Sequence, residues 1–97
     1  MTKHIPTEKS IVKSILEYLK TVPKCRAIKM QGTYRRGGEP DIFCCYKGRM
    51  VLLEAKRPGN KPTMLQEATL KMWAEAGAVA AVVYSVDDVK EILEAIP

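Results

Sequence analysis

The sequence predicts one α/β domain in which a mixed sheet is flanked by helices, with elements in the order α-β-β-β-α-β-α. Apolar residues recur at helical spacing in three segments, and four short runs between them are rich in β-branched, aromatic and other apolar residues. Two of these runs are joined by Lys47-Gly48, which is typical of a hairpin turn. The chain has 97 residues, of which 46% are apolar, enough for one core and too few for two. We therefore expect residues 1–97 to form a single domain.

The first predicted helix begins after Thr7, which can cap it, and runs to about Leu19. Glu8 lies one turn before the apolar stripe and therefore on or beside the buried face. An acidic residue in the first turn also complements the helix macrodipole, and on position alone that is the simpler explanation for Glu8. The apolar stripe consists of Ile11, Val12, Ile15, Leu16 and Leu19, and the side chains expected to point outward are Lys9, Lys13, Glu17 and Lys20.

A strand is predicted at Cys25–Gln31, and the loop that follows it contains three glycines. Glycines at this density allow the backbone to approach a partner closely. Arg35 and Arg36 can clamp phosphates, and Tyr34 can stack on a base or a sugar. A loop that is merely solvated explains the same composition equally well.

The hairpin that follows, formed by residues 42–46 and 49–56, carries the residues on which we base the functional prediction. Because side chains alternate along a strand, Glu54 and Lys56 point to one face while the apolar residues that alternate with them point to the other. Asp41 opens the neighbouring antiparallel strand, close enough to share a site with Glu54. Two carboxylates and a lysine in one place suit a hard divalent cation that faces a phosphodiester.

A second helix is predicted from Met64 to Ala76, with Thr63 as its N-cap and Gly77 as the residue that ends it. Gln66 follows Thr63 by three residues and completes a capping box, which is a sufficient structural reason for its presence. We expect Trp73 and the methionines to belong to the core. The predicted core face consists of Leu65, Ala68, Met72 and Ala76, with Trp73 at its edge.

The run 77–84 is continuously apolar, as expected of a central strand that is covered on both faces. Ser85 can cap a last helix that runs from Val86 to about Ile96. The outer side of this helix is acidic and should repel nucleic acid. Its inward residues are expected to be Val86, Val89, Ile92, Leu93 and Ile96.

The net charge of +5 is unevenly distributed along the chain. Residues 1–62 hold fourteen Lys and Arg but five Asp and Glu, a net charge of +9, whereas residues 63–97 have a net charge of −4. A polyanionic partner would therefore approach the first two-thirds of the chain. The alternative, that lysines only keep a basic protein soluble, accounts less well for this clustering.

Membrane-spanning and disulfide-rich classes are disfavoured. No apolar run approaches the ~20 residues of a membrane span, and Met1–Pro6 lacks the apolar region of a signal peptide. Cys25, Cys44 and Cys45 are odd in number, form neither a metal-binding spacing nor a disulfide framework, and the last two should point to opposite faces of a strand. We expect reduced cysteines, packed as small hydrophobic residues in an intracellular protein.

Together these features resemble the PD-(D/E)xK nuclease superfamily and, more closely, the virus-type replication-repair nuclease (VRR-NUC) domain in its stand-alone viral or phage form. The segments GGEPDIF, VLLEAK, LQ and AGAVAAVV follow that family's pattern, and the similarity covers nearly the whole chain. The family carries an acidic residue on its first helix, a Pro-Asp, a Glu-x-Lys, and a Gln at the start of the next helix. The resemblance thus implies a restriction-endonuclease-like core and makes Glu8 and Gln66 site residues as well.

The activity that the resemblance implies is that of a Mg²⁺- or Mn²⁺-dependent endodeoxyribonuclease. Lys56 would hold the attacking water or a phosphate oxygen, and Gln66 would orient a water or the phosphate. Glu39 adds a negative charge beside the site, and its role stays open. The implied metal ligands are Asp41, Glu54, the backbone carbonyl of Ala55 and, directly or through water, Glu8.

The partner that the resemblance implies is branched DNA, because stand-alone viral members resemble Holliday-junction resolvases that act as homodimers. We expect a homodimer that serves phage replication or repair in the cytoplasm of a bacterial host cell. The alternatives are a monomeric nickase or flap nuclease, a restriction-type endonuclease, and a non-catalytic basic module that binds DNA or RNA. In that module Asp41, Glu54 and Lys56 would merely form a buried ion-pair network. The expected phosphate contacts are Arg35, Arg36, Lys47, Arg49, Arg57 and Lys61.

Overall fold

A computed structural model of the protein describes residues 4–30 and 37–97. In these ranges the predicted order of elements is confirmed, and their ends lie within two residues of the predicted ones; the predicted end of the first strand, Gln31, lies outside the described residues. The helices are α1 (Glu8–Leu19), α2 (Met64–Glu75) and α3 (Val86–Glu94). The strands are β1 (Cys25–Lys29), β2 (Ile42–Tyr46), β3 (Arg49–Ala55) and β4 (Val79–Val83).

Each of these helices begins at a side chain that caps it, as the sequence predicts. Thr7 and Ser85 each accept a hydrogen bond from the backbone N–H three residues further on. The capping box of α2 is complete, with Thr63 and Gln66 each accepting a hydrogen bond from the other's backbone N–H. Gly77 follows α2 with a φ of 109°, a left-handed conformation that glycine adopts at low cost. None of the described helices is long and apolar enough to cross a membrane.

The described strands form one sheet in the order β1-β2-β3-β4. β1, β2 and β3 are antiparallel neighbours, whereas β4 is parallel to β3 because α2 carries the chain back between them. The prediction of a central position for β4 is therefore wrong, since it lies at the edge of the sheet. Its continuous apolar sequence has another cause, since α2 and α3 both pack against it and cover its two faces, although no other described strand pairs with its second edge.

One face of the sheet, which we call the inner face, packs against α1 and α3 and forms the core. Ile15, Leu53 and Val89 come from three different elements and have no exposed surface. Burying an aliphatic side chain completely stabilises a fold by roughly 1.5–3 kcal/mol. The predicted apolar stripes of α1 and α3 are confirmed. The core consists of Ile11, Val12, Ile15, Leu19, Ile42, Cys44, Val51, Leu53, Ala55, Val83, Val89, Leu93 and Ile96.

The opposite face, which we call the outer face, is covered only in part, by α2. The predicted core face of this helix is wrong: Leu65 and Met72 are 58% and 68% exposed, and Ala68 and Ala76 are exposed as well. The expectation that methionines belong to the core fails too, since Met50, Met64 and Met72 are exposed, while Trp73 is half-buried. The residues that α2 turns toward the sheet are Gln66, Thr69, Leu70 and Trp73.

The two adjacent cysteines confirm which side chains point to which face. Cys44 is buried on the inner face, and Cys45 is exposed on the outer face. Cys25 is half-buried, and its Sγ lies 3.4 Å from that of Cys44. The expectation of cysteines packed as small hydrophobic residues therefore holds for Cys25 and Cys44 and is wrong for Cys45.

Candidate metal centre

Asp41 and Glu54 meet at the end of the sheet where β2 begins and β3 ends. The antiparallel register pairs Ile42 with Leu53. Asp41 precedes Ile42 and Glu54 follows Leu53, so the two acidic residues lie opposite each other. Asp41 is 4% exposed and Glu54 is 1% exposed. Acidic side chains are rarely buried to this extent unless a charge or hydrogen bonds compensate them.

Glu8 brings a third carboxylate to the same place from the first turn of α1. One oxygen from each of Glu8, Asp41 and Glu54 lies within 4.8 Å of the other two. At an effective dielectric constant of about 20, two unit charges at that separation repel each other by roughly 3 kcal/mol. A divalent cation would relieve this repulsion, and carboxylate oxygens are the ligands that hard cations prefer. The donor set therefore fits Mg²⁺ or Mn²⁺.

Backbone hydrogen bonds from both neighbouring strands hold Asp41. The N–H of Ala55 donates to Oδ2 of Asp41 at 2.9 Å. The N–H of Met30 donates to the backbone carbonyl of Asp41 at 2.8 Å. The side chain of Asp41 is thus bonded to β3 and its backbone to the residue that follows β1. These two bonds fix where the Asp41 carboxylate lies relative to Glu54.

Lys56 lies beside Glu54, as the alternation of side chains predicts. Its Nζ is 3.7 Å from Oε2 of Glu54, and its side chain is only 12% exposed. The backbone N–H of Lys56 donates to the carbonyl of Val83 at 3.0 Å, which anchors the residue to β4. An ammonium group is therefore held next to the carboxylate cluster and still reaches solvent on one side.

The capping box of α2 determines which way the Gln66 amide points. Oε1 of Gln66 accepts a hydrogen bond from the N–H of Thr63 at 2.9 Å, so the NH₂ group has to face away from the cap. That NH₂ group donates to Oε2 of Glu54 at 3.0 Å. One side chain therefore caps the helix and holds a carboxylate of the cluster in place.

Solved structures of other proteins share this architecture. One, described as a VRR_NUC domain, superposes with a TM-score of 0.77 at 23% sequence identity, covering 95% of this chain and 100% of the other. A second, described as a VRR_NUC domain protein, has a TM-score of 0.74 at 17% identity, covering 94% of this chain and 88% of the other. The chain has the VRR-NUC fold. No protein-family model and no curated protein matches the sequence.

In this VRR-NUC fold the segment that leads into β2 packs against α2. Oε2 of Glu39 accepts a hydrogen bond from Nε1 of Trp73 at 3.0 Å, which assigns a contact to the one acidic residue whose role the sequence left open. Gly38 has a φ of 88°, and a Cβ there would lie 2.7 Å from Cγ of Leu65. The sequence held one signal for this contact, since a half-buried indole N–H requires an acceptor.

The predicted phosphate contacts are not all near the carboxylates of this VRR-NUC fold. Arg57 and Lys61 follow β3 and so leave the sheet at the end where Glu54 lies. Lys47 and Arg49 flank the hairpin turn at the opposite end. At ~3.3 Å per strand residue, Lys47 is roughly 20 Å from Asp41. The loop residues Tyr34, Arg35 and Arg36 lie outside the described residues.

Proposed function

We propose that this chain is a metal-dependent nuclease that hydrolyses phosphodiester bonds in DNA. The observation that carries the proposal is the cluster of Glu8, Asp41 and Glu54, with one oxygen of each within 4.8 Å of the others. Lys56 adds a positive charge beside that cluster. The VRR-NUC fold supports the proposal, because the two similar structures bear the name of a nuclease domain.

The metal in this proposal is Mg²⁺ or Mn²⁺. When bound, such a cation supplies Lewis acidity to the phosphate and acidifies a water molecule. The backbone of Ala55 is well placed to supply a ligand, because it lies between Glu54 and Lys56 and its N–H already donates a hydrogen bond to Asp41. The ligands would be Asp41, Glu54, Glu8 and the backbone carbonyl of Ala55.

The side chains around the cluster position the reacting groups. Lys56 holds the attacking water or a phosphate oxygen, since its ammonium group is fixed beside Glu54. Gln66 keeps Glu54 in one orientation through its 3.0 Å hydrogen bond and can also orient a water or the phosphate. In-line attack at the phosphorus would leave a 5′-phosphate and a 3′-hydroxyl.

We further propose that the substrate is a four-way DNA junction and that the enzyme is a homodimeric Holliday-junction resolvase. The described part of one chain carries one such cluster, which can cut one strand at a time, whereas a two-fold pair presents two clusters to two strands. The net charge of +9 on residues 1–62 favours a polyanionic substrate. Such an enzyme would serve phage replication or repair in the cytoplasm of a bacterial host.

The test is cleavage of a labelled four-way junction, with duplex and flap substrates as controls, in Mg²⁺, in Mn²⁺ and in EDTA. Wild type is compared with Glu54→Gln, and the mass in solution is measured by light scattering. We expect paired symmetric cuts by a dimer in one or both metals, and none in EDTA or with the variant. The products should be ligatable, because their ends would carry a 5′-phosphate and a 3′-hydroxyl.

The other outcomes separate the parts of this proposal. Metal-dependent cutting confined to flaps or nicked duplex, by a monomer, would retain the nuclease and reject the resolvase. Discrete fragments from ordinary duplex would indicate a restriction-type enzyme. If DNA binds and no metal supports cutting, the carboxylates and Lys56 belong to a non-catalytic module and the proposal is wrong.

A further inference from the structure

A groove of about 360 Å³ runs between α1 and the edge strand β1, on the side of the molecule away from α2. Its floor is apolar, formed by Val12 and Leu16, and its rim is basic. We call it the lysine groove. Its lysines, all of which are exposed, are Lys9, Lys13, Lys20 and Lys29.

The described residues offset the positive charge of the lysine groove only in part. Within residues 4–30 and 37–97, no carboxylate forms an ion pair with any of these four lysines. Glu17 lines the same groove and leaves it with a net charge of +3. A groove with this net charge has a positive potential, so a polyanion that occupies it is attracted by all of these lysines.

The lysine groove begins at the end of the sheet where the carboxylate cluster lies. Lys9 directly follows Glu8 in α1, and Lys29 pairs with Ile42, the residue after Asp41. From Lys9 the groove follows α1 for eleven residues, which at ~1.5 Å per residue is roughly 16 Å. Because a DNA strand winds around the duplex axis, its successive phosphates lie further apart than the axial rise of about 3.4 Å per nucleotide, so this length accommodates a few phosphates of one strand.

We propose that the lysine groove binds successive phosphates of one DNA strand as that strand leaves the metal centre. This inference rests on the proposed nuclease function, because a phosphodiester at the carboxylates needs a path for the nucleotides next to it. DNA suits the groove because its charges are regularly spaced, and lysines on flexible stems bind phosphates without reading the bases. Beside α1, the exposed face of α3 is acidic and disfavours a path in that direction.

The experiment compares two double variants that remove the same charge. Lys13→Ala/Lys20→Ala alters the lysine groove at positions remote from Glu8, and Lys71→Ala/Lys90→Ala removes the exposed lysines of α2 and α3. Both are made in the cleavage-inactive Glu54→Gln background, so that the DNA stays intact in Mg²⁺. Fluorescence anisotropy then gives the affinity for a labelled junction and for duplex over a range of salt concentrations.

We expect the groove variant to lose roughly ten-fold or more in affinity at low salt, with the salt slope reduced by about one for each lysine. The control pair should stay within about two-fold of its parent and keep the salt slope. Lys13→Arg/Lys20→Arg should restore binding, because the charge is retained. Thermal unfolding of each variant checks that a loss of affinity is not a loss of fold.

Equal binding by the groove variant and the control pair would overturn the inference. If wild type still cuts DNA in Mg²⁺ in that case, the nuclease stands and only the path of the strand is wrong. If wild type neither binds nor cuts DNA, the proposed function fails, and this inference fails with it. If the groove variant loses affinity for polyglutamate but not for DNA, the occupant is an acidic polypeptide instead.

Discussion

Helices pack against the inner face of the sheet and against part of its outer face, but different interactions hold them in place. On the inner face, α1 and α3 contribute aliphatic side chains such as Ile15 and Val89 that have no exposed surface. On the outer face, α2 contributes one buried apolar residue, Leu70. Its other contacts include hydrogen bonds from Gln66 and Trp73 to carboxylates at the end of the sheet.

This difference separates stability from the geometry of the carboxylate cluster. Apolar burial is non-directional and roughly proportional to area, so the inner face contributes most of the folding free energy. Hydrogen bonds are directional, so α2 can fix where Glu54 and the segment before Asp41 lie while it buries little surface. Substitutions on the two faces should therefore have different consequences.

The largest effect is expected at Glu54, where the two faces meet. Glu54→Gln keeps the shape of the side chain but removes a charge from the carboxylate cluster, so we expect the single-turnover cleavage rate in Mg²⁺ to fall at least about 10³-fold. The free energy of unfolding in EDTA should not fall, because the cluster then holds one like charge fewer. Cleavage assays and urea unfolding measure the two quantities. Glu75→Gln, on the exposed side of α2, is the control. A cleavage rate of Glu54→Gln within ten-fold of wild type would reject the site.

The second prediction concerns stability alone. Ile15→Ala opens a cavity in the inner-face core and should lower the free energy of unfolding by about 2–5 kcal/mol. Met72→Ala removes a comparable side chain that is 68% exposed on α2, and should change the same quantity by less than about 0.5 kcal/mol. Urea unfolding of both variants gives the comparison. Equal losses would show that α2 is covered in solution, as it would be in a dimer that uses this helix.

The same difference explains how much the sequence could predict. Apolar spacing located the inner face correctly, because burial there depends on a pattern within each helix. Apolar spacing gave the wrong buried face for α2. The side chains that orient this helix, Gln66 and Trp73, form hydrogen bonds with partners 12 and 34 residues away in the sequence. A hydropathy pattern contains no information about such partners. The position of β4 at the end of the described strand order escaped prediction for a similar reason, since two covering helices make an edge strand as apolar as a central one.

The candidate site was predictable to different degrees. Strand alternation was enough to group Glu54 with Lys56 and to place Asp41 opposite, because these residues lie on one hairpin. Glu8 and Gln66 each have a sufficient local explanation, a helix dipole and a helix cap. Only the resemblance to a known family made them site candidates. The structure shows that the local role and the site contact coexist in Gln66.

A third prediction separates those two roles of Gln66. Gln66→Ala removes part of the cap and the hydrogen bond to Glu54, and should slow metal-dependent cleavage by roughly 10- to 100-fold. Thr63→Ala disrupts the same cap but retains the amide, and should cost about 1 kcal/mol of stability with little effect on the rate. Single-turnover cleavage and urea unfolding are measured for both. If Gln66→Ala and Thr63→Ala slow cleavage equally, the loss of the helix cap alone explains the effect of Gln66→Ala on the rate.

The prediction with the least consequence for cleavage or stability is a difference in reactivity between neighbouring cysteines. Burial and the contact with Cys25 raise the pKa of the Cys44 thiol to about 12. Only the thiolate reacts with iodoacetamide, so at pH 8 about one Cys44 side chain in 10⁴ is reactive even before burial limits access. Cys45 is exposed on the outer face and should be labelled first. Peptide mapping by mass spectrometry follows each site over time.

The pH dependence of this labelling sharpens the test of the inner face. Because the pKa is raised in the folded state, the stability that the neutral Cys44 thiol contributes is present at neutral pH and is lost as the pH rises toward about 12. Native protein at pH 8 should therefore retain an unlabelled Cys44, and urea should make it react like Cys45. If Cys44 reacts as fast as Cys45 without urea, the inner face opens readily. Tight packing there would then not explain why the two faces differ.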